Sequence, residues 1–579
     1  MVALEARVPV LAGADENEGR GASFHRGLAI IAFLVLVVCV SVALAAPATY
    51  YVDYVGGSDA NDGLAKTTGG GHGAWQHIPG MKNATGVAAA YTMTAGDSII
   101  LKGGVTWPMN TTGCWQLPAG HGTAGNPVYF GVDQTWYTGG AWTRPILNGN
   151  GVGIGACQAI TTNNFLFIAA SYITIDNFEF TGGRAGSTSG CSGVDGVCDS
   201  YIFIYSGGNP TNTIIENTYM HGVTTSSPNC SVSGCQPWVA LYNATQAANY
   251  GNSLAIGNVI DGSDSGDYLA DPSCTGVCES ELSGIEGNWW ELSENIVRYV
   301  DEGYDGVFNL VHDSLIEWIR ASNNTSSGAH ANGIQYDDAP YGCAVYDNVV
   351  RHTNPVNGVN ARGVQTFGIS NKHLTNCWVF GNDVYDTTVN NQFNVWYTSS
   401  DHSARGSQWV FNNTVAGGPE GAPNDAPGGA SCVTAPWDLC WWDNNHVITN
   451  ATSGPLASCT TNCTDGGHSI FQTLTAANGI GQGYFSSSTY AYSPGFLTSI
   501  TVGAGANLAS LCTTISATNA AAGTACLSDT TYGVSYNTSN HTATFPARTV
   551  VARIAPWSAG AYQVLTRLLA PLNLSLSAH

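Results

Sequence analysis

The amino-acid sequence predicts an all-β chain wound as a right-handed, single-stranded parallel β-helix, a solenoid with a cap at each end. Three observations carry this: a glycine-rich composition poor in charge, an asparagine recurring in one fixed frame, and a second recurring frame built on glycine. With 71 glycines and only 10% charged residues among 579, long amphipathic helices have little to be made from and turns have much.

Taken in chain order, residues 28–46 (LAIIAFLVLVVCVSVALAA) form an apolar run that follows Arg20, His25 and Arg26 and ends in small residues. An export signal cleaved near Ala45 or Ala46 is one reading. An uncleaved anchor is the other, because the run is long enough to cross a bilayer. Either reading places the body of the chain outside the cytoplasm, secreted or held at the surface. Residues 1–46 are thus the signal or anchor, 47–145 the N-terminal cap with the first strands, 146–480 the coils, and 481–579 the closing segment.

Within the coils one frame recurs: TIDNFEF (Asn177), IIENTYM (Asn217), AIGNVID (Asn258), LSENIVR (Asn295), VYDNVVR (Asn348), VFGNDVY (Asn382), VFNNTVA (Asn413) and WDNNHVI (Asn445). LIEWIRA fits between Asn295 and Asn348 with Trp318 in the asparagine's place. The intervals are 40, 41, 37, 23, 30, 34, 31 and 32 residues, each long enough for two or three short strands and their turns. Apolar residues flank every asparagine, so it marks a turn between strands, and amides stacked coil on coil can bond to one another as a ladder. Such a chain gains stability by stacking, since one coil cannot bury its own apolar face.

The second frame reads SGIEGNW (Gly284), DGVFNLV (Gly306), NGIQYDD (Gly333) and RGVQTFG (Gly363), with Gln392 replacing the glycine in NQFNVWY. It marks the first strand of each coil. Cys343 and Cys377 each stand five residues before a ladder asparagine, and adjacent coils lie about 4.8 Å apart, so a disulfide between them is expected. Of the 17 cysteines, Cys39 sits in the apolar run. The others include close pairs such as Cys432 and Cys440, Cys459 and Cys463, and Cys512 and Cys526. No C-x-x-C occurs, and export favours disulfides over zinc.

On these frames the sequence resembles the secreted parallel β-helix proteins with the pectate-lyase-like fold. YYVDYVGGSDANDGLA and AGDSIILKGGVTW look like that family's opening segment, and RIAPWSAGAYQV is similar to its closing R-x-x-P-W-D-I-G-A-Y element, with Ser558 where Asp is usual. The resemblance covers residues 49–565 and implies the fold, which hosts lyases, hydrolases, epimerases and adhesins alike. DGVF and NGIQ also look like the N-T-D-G-[FI]-D strand of polygalacturonases, whose first Asp is matched by Asp305 but replaced by Asn332 one coil on. That family's Q-D-D-C strand is missing.

Candidate chemistry concentrates in residues 279–368. Aligned on the glycine, the preceding position reads Ser283, Asp305, Asn332, Arg362, and the position two after it reads Glu286, Phe308, Gln335, Gln365. Asp337 and Asp338 extend the third coil, while Asp301, Glu302, His312 and His330 fall in nearby turns. Glycoside hydrolysis needs two carboxyl groups, one protonated and one ionised, about 5–9.5 Å apart, which Asp305 with Asp337 or Asp338 would provide. Elimination from a uronic acid needs a base and a neutraliser, roles open to Arg362. Calcium is a candidate cofactor there, on Glu286, Asp301, Asp305 and Asp337, because hard cations select oxygen. The expected catalytic set is Asp305, Asp337, Asp338, Glu286, His330 and Arg362, with Gln335, Gln365, Trp289 and Trp290 binding substrate. Arg298, Arg320 and Arg351 follow the ladder on three consecutive coils, which would make a basic stripe; the reading preferred is solvated surface arginines. His221 and His352 read as hydrogen-bonded turn residues.

A net charge of -23 with four lysines (Lys66, Lys82, Lys102, Lys372) argues against nucleic acid, and any acidic ligand needs a local basic site. The expectation is a monomeric carbohydrate-active enzyme cutting a polysaccharide, hydrolase or lyase. Its rival is a non-catalytic adhesive β-helix, touching a membrane only through an anchor at residues 28–46.

Overall fold

A computed structural model describes residues 46–152, 164–185, 199–225, 238–265 except 247, 282–319 except 301, 331–352 except 339, 361–368, 376–385, 393–397, 406–416, 439–448, 463–477, 484–485, 493–494, 496–528, 535–544, 553 and 556–563. Almost all of their strands pair in parallel, in one sheet of twenty strands and one of twelve among the described residues. The larger sheet stacks its strands in two columns, joined where the long strands Leu282–Ser293 and Tyr304–His312 serve both. Each coil therefore contributes three strands. In one coil, Leu282–Gly287 pairs with Trp238–Asn243, Glu291–Ser293 with Leu254–Ile256, and Ile296–Arg298 with Val259–Asp261.

This is a parallel β-helix. Its interior follows from strand alternation: the middle residues Met220, Ile260, Val297 and Ile316 of successive third strands are all 0% exposed and join one core. Burying each such side chain contributes about 1.5–3 kcal/mol. Their neighbours Tyr219, Val259, Ile296 and Leu315 point outward into a separate cluster.

The asparagine ladder runs between the second and third strands. Asn258 Nδ2 donates to Asn295 Oδ1 at 3.0 Å, and Asn348 to Asn382, Asn382 to Asn413 and Asn413 to Asn445 do the same at 3.0 Å. Two sequence expectations are corrected here. Trp318 is not a rung; Ser314 is, its N–H donating to Asn348 Oδ1 and its hydroxyl accepting from the Asn295 N–H. Asn177 and Asn217 stand one residue ahead of the ladder, opposite Gly257, because Glu216 pairs with Ile256. They hold the left-handed turn position (φ +68° and +55°), and Thr218 bonds Asn258 Oδ1 in the rung. Asparagine suits both places, for its amide in one and its tolerance of positive φ in the other.

Cys343 and Cys377 are in register on adjacent second strands and form a disulfide, with Cα atoms 4.4 Å apart. Cys512–Cys526 joins the helices Ala509–Thr518 and Ala520–Cys526 of the closing segment. The last element locks onto the coils. Arg553 lies over the Trp557 ring at 5.6 Å and donates to Ser528 O and Ala561 O. The Ala561 N–H donates to Thr414 Oγ1, and Tyr562 O–H to Asp383 Oδ2. The Ser558 backbone N–H donates to Gln563 Oε1. Among the described residues no helix is long and apolar enough to cross a membrane, and residues 28–45 of the apolar run lie outside them.

Candidate functional site

The first strands of the coils carry the candidate site, and their pairing changes its composition. Ile285 pairs with Tyr304, and Tyr304 with Ile334, so the glycine between Gly284 and Gly333 is Gly303 and not Gly306. A Cβ on Gly284 would sit 2.1 Å from Gly303 O and 2.9 Å from Val297 Cγ1, so this column needs glycine where the first strand closes on the third. The position two residues on is therefore Glu286, Asp305, Gln335 and, in backbone register, Gln365. Phe308, expected there, is a core residue at 0% exposure.

The consequence is a different carboxylate pair. Asp305 stacks beside Glu286 on the adjoining coil, both half-buried on the outer side of the strand, and not beside Asp337 or Asp338 as the sequence frame implies. Asp338 is opposite Val307 after a register shift, and Asp337 lies within that shift. The side chains of Asp337, Asp338, Arg362 and Gln365 lie outside the described residues, as does His330 altogether. Ser283 Oγ donates to Glu286 Oε1 at 2.6 Å, a hydrogen bond that favours the ionised carboxylate.

The same register continues toward the N-terminus as Tyr242, Phe203 and Phe167, the last 5% exposed and part of the interior core. Phe203 and Tyr242 stack with centroids 5.6 Å apart and planes 2° from parallel. Tyr242 forms a small cluster with Val239 and Ala244, and Phe203 packs against both that cluster and the main core. Gln335, 5% exposed, follows the carboxylates on the other side. An aromatic platform, two carboxylates and an amide thus stand in line along the axis, one per coil.

Trp289 is corrected from a substrate contact to a core residue: its ring is 0% exposed and its Nε1–H donates to Glu286 O at 2.8 Å. It supports Glu286 from inside. Trp290 is half-buried and keeps its candidacy. His312 is no free base. Burial pulls its pKa down, but Asp313 Oδ2 at 2.8 Å and Glu291 Oε1 at 3.3 Å outweigh burial and raise it to about 9. His221 is held likewise between Asp264 and Glu179 and raised to about 9.

Arg298 and Arg351 are not solvated. They sandwich Glu317 in register, with Arg298 Nε 3.2 Å from one oxygen and Arg351 Nη2 2.7 Å from the other. Arg320 lies outside the described residues. Among the described residues no group of three His, Cys, Asp or Glu is placed to hold a metal. Glu286 and Asp305 are two of the oxygen ligands proposed for calcium; Asp301 and the Asp337 side chain lie outside.

No protein-family model and no curated protein sequence matches the chain. Solved structures that resemble it include a rhamnogalacturonan lyase, 12% identical over 76% of this chain and 91% of that one with a TM-score of 0.37. A pectate lyase is 13% identical over 80% and 93%, TM-score 0.38. The lacto-N-biosidase of Eubacterium ramulus is 14% identical over 64% of both chains, TM-score 0.32. The fold assignment stands on the strand pairing itself.

Sequence reasoning missed Phe203 and Tyr242, and aligned Ser283 with the candidate positions without giving it a role. A signal was available in YIFIY and WVALYN, whose aromatics fall in the Glu286 frame once Ile202 and Leu241 are set opposite Ile285.

Proposed function

We propose that the chain is an extracellular carbohydrate-active enzyme that hydrolyses glycosidic bonds of a polysaccharide lying along the first-strand face. The observation that carries this is the pair Glu286 and Asp305, side by side in one outward column. Adjacent coils stack about 4.8 Å apart. That is nearer the ~5–5.5 Å used by retaining glycosidases than the ~6.5–9.5 Å that admits a water in inverting ones. Roles follow from surroundings. The Ser283 hydrogen bond favours the ionised form of Glu286, so we assign Glu286 the role of nucleophile and Asp305 that of the acid that protonates the departing oxygen. Phe203 and Tyr242, stacked face to face, present ring edges on one side of the cut, and Gln335 lies on the other.

The disulfides Cys343–Cys377 and Cys512–Cys526 support an oxidising, extracellular compartment. A single chain suffices for this column, so a monomer is expected to be active. The test is release of new sugar ends from a polysaccharide panel, with the first product's anomeric configuration read by NMR. Retention is expected. An ultraviolet-absorbing unsaturated product, with activity lost to chelator, would establish calcium-assisted elimination instead. No product from any glycan would leave the adhesive reading.

A further inference from the structure

The outer side of the third strands carries a row of charges that the glycan site does not use. His221, Asp261, Arg298, Glu317 and Arg351 stand opposite one another on five successive coils. Their signs alternate, with Arg298 Nη1 3.9 Å from Asp261 Oδ2 and the Arg298–Glu317–Arg351 contacts beyond it. The N-terminal member is the histidine, held between Glu179 and Asp264 and charged at neutral pH.

A β-hairpin of the closing segment, Ser535–Asn537 paired antiparallel with Thr542–Thr544, sits on that end of the row. Two of its side chains make the contact. Tyr536 O–H donates to Asp261 Oδ2 at 3.0 Å, its ring lies under the Arg298 guanidinium at 4.7 Å, and it packs against the outward cluster that holds Tyr219, Val259 and Ile296. His541 stacks on Tyr219 with centroids 4.1 Å apart and planes 11° from parallel. Tyr219 also stacks with His221 at 4.1 Å, so the two imidazole centroids are 6.2 Å apart. Because the Tyr536 hydroxyl donates its proton to Asp261, its oxygen accepts from His541 Nδ1–H at 2.9 Å, a bond open to the neutral and the protonated imidazole alike.

Charge is what separates those two forms. An imidazolium at His541 stands beside the His221 imidazolium and near Arg144, faced by the carboxylates of Asp261 and Glu179, while Asp261 is shared with Arg298 and Asp264 is engaged by His221. Burial first, and His221 next, outweigh the carboxylates and hold the His541 pKa below the ordinary histidine value. A group lowered in the docked state adds docking stability that is full above its ordinary value, about 6.5, and is lost as pH falls below it.

We propose that the hairpin is an acid-released latch: with His541 neutral it fastens the closing segment to the third-strand face, and with His541 protonated the paired imidazoles drive it off, uncovering Tyr219 and Val259.

Hydrogen exchange of the full chain tests this, read by mass spectrometry on peptides spanning residues 535–544 and corrected for the intrinsic exchange rate. Protection of those amides should fall at least about threefold between about pH 7.5 and 5.5, while the coil strands at Ile260 and Val297 keep theirs. His541→Phe, which keeps a ring for Tyr219 and takes no proton, should stay protected at both pH values. His221→Gln, which removes the facing charge, should shrink the loss. Equal wild-type protection at the two pH values, or a loss as large in His541→Phe, overturns the proposal. A His541→Phe hairpin unprotected already at the higher pH overturns it too, since the imidazole would then matter for its bond to Tyr536 and not for its charge. An undiminished loss in His221→Gln rules out the paired imidazoles as the cause of release.

Discussion

Asparagine holds two kinds of position in this molecule, and their energetics differ. At a rung such as Asn348 the amide is buried, donates to Val311 O and Asn382 Oδ1, and accepts from the Ser314 N–H. Replacing it by Leu strands those groups and should cost about 1–3 kcal/mol in denaturant unfolding. At the turn position Asn217 is exposed with φ +55°, so Asn217→Gly should change stability by only a few tenths of a kcal/mol. Equal losses from the two variants would contradict the assignment. The sequence made the ladder legible but not this distinction, because one residue type satisfies both demands. Buried histidines set a pH signature. His221 and His312, raised to about 9, contribute stability that is full below about 6.5, the ordinary histidine value, and lost as pH rises through 9. His446 is buried beside Gln472 and lowered to about 4, so its contribution is lost as pH falls from about 6.5 to 4. Melting temperature should therefore fall from neutrality toward pH 9, and His312→Gln should flatten that alkaline limb.

Between elements, register decides what meets what. The Cys343–Cys377 bridge was legible because a fixed offset from the ladder holds in both coils, and second-strand pairing bears it out. Removing it by Cys377→Ser with Cys343→Ser should cost about 2–4 kcal/mol. The same sheet sets Cys440 opposite Cys463, so peptide mapping without reduction should recover those two linked. Recovery of Cys432 linked to Cys440 instead would contradict that pairing. The site was less legible than the bridge. EGYDGVF contains two glycines three residues apart, and choosing Gly306 over Gly303 moved Asp305 out of the Glu286 column and toward Asp337. Only backbone pairing, with Gly303 pressed against Gly333 O at the would-be Cβ position, separates them. Trp289 shows a second limit: a Trp-Trp pair in a strand does not reveal which ring is inside.

At the scale of the whole molecule, the solenoid converts a one-residue repeat into a line of side chains running along the axis. Aromatic rings, two carboxylates and an amide occupy successive coils of that line, which matches a polymer in extent in a way a single pocket would not. Composition made the solenoid readable and left the chemistry unread, since function depends on a handful of outward residues whose neighbours come from other coils. On the proposed function, Glu286 and Asp305 act together on the glycan. The most direct test is turnover of Glu286→Gln and Asp305→Asn on the polysaccharide that the wild-type chain degrades, with melting temperatures recorded alongside. Each variant should lose at least about a hundredfold while melting close to wild type. Wild-type turnover in either variant would rule out the pair as the catalytic carboxylates.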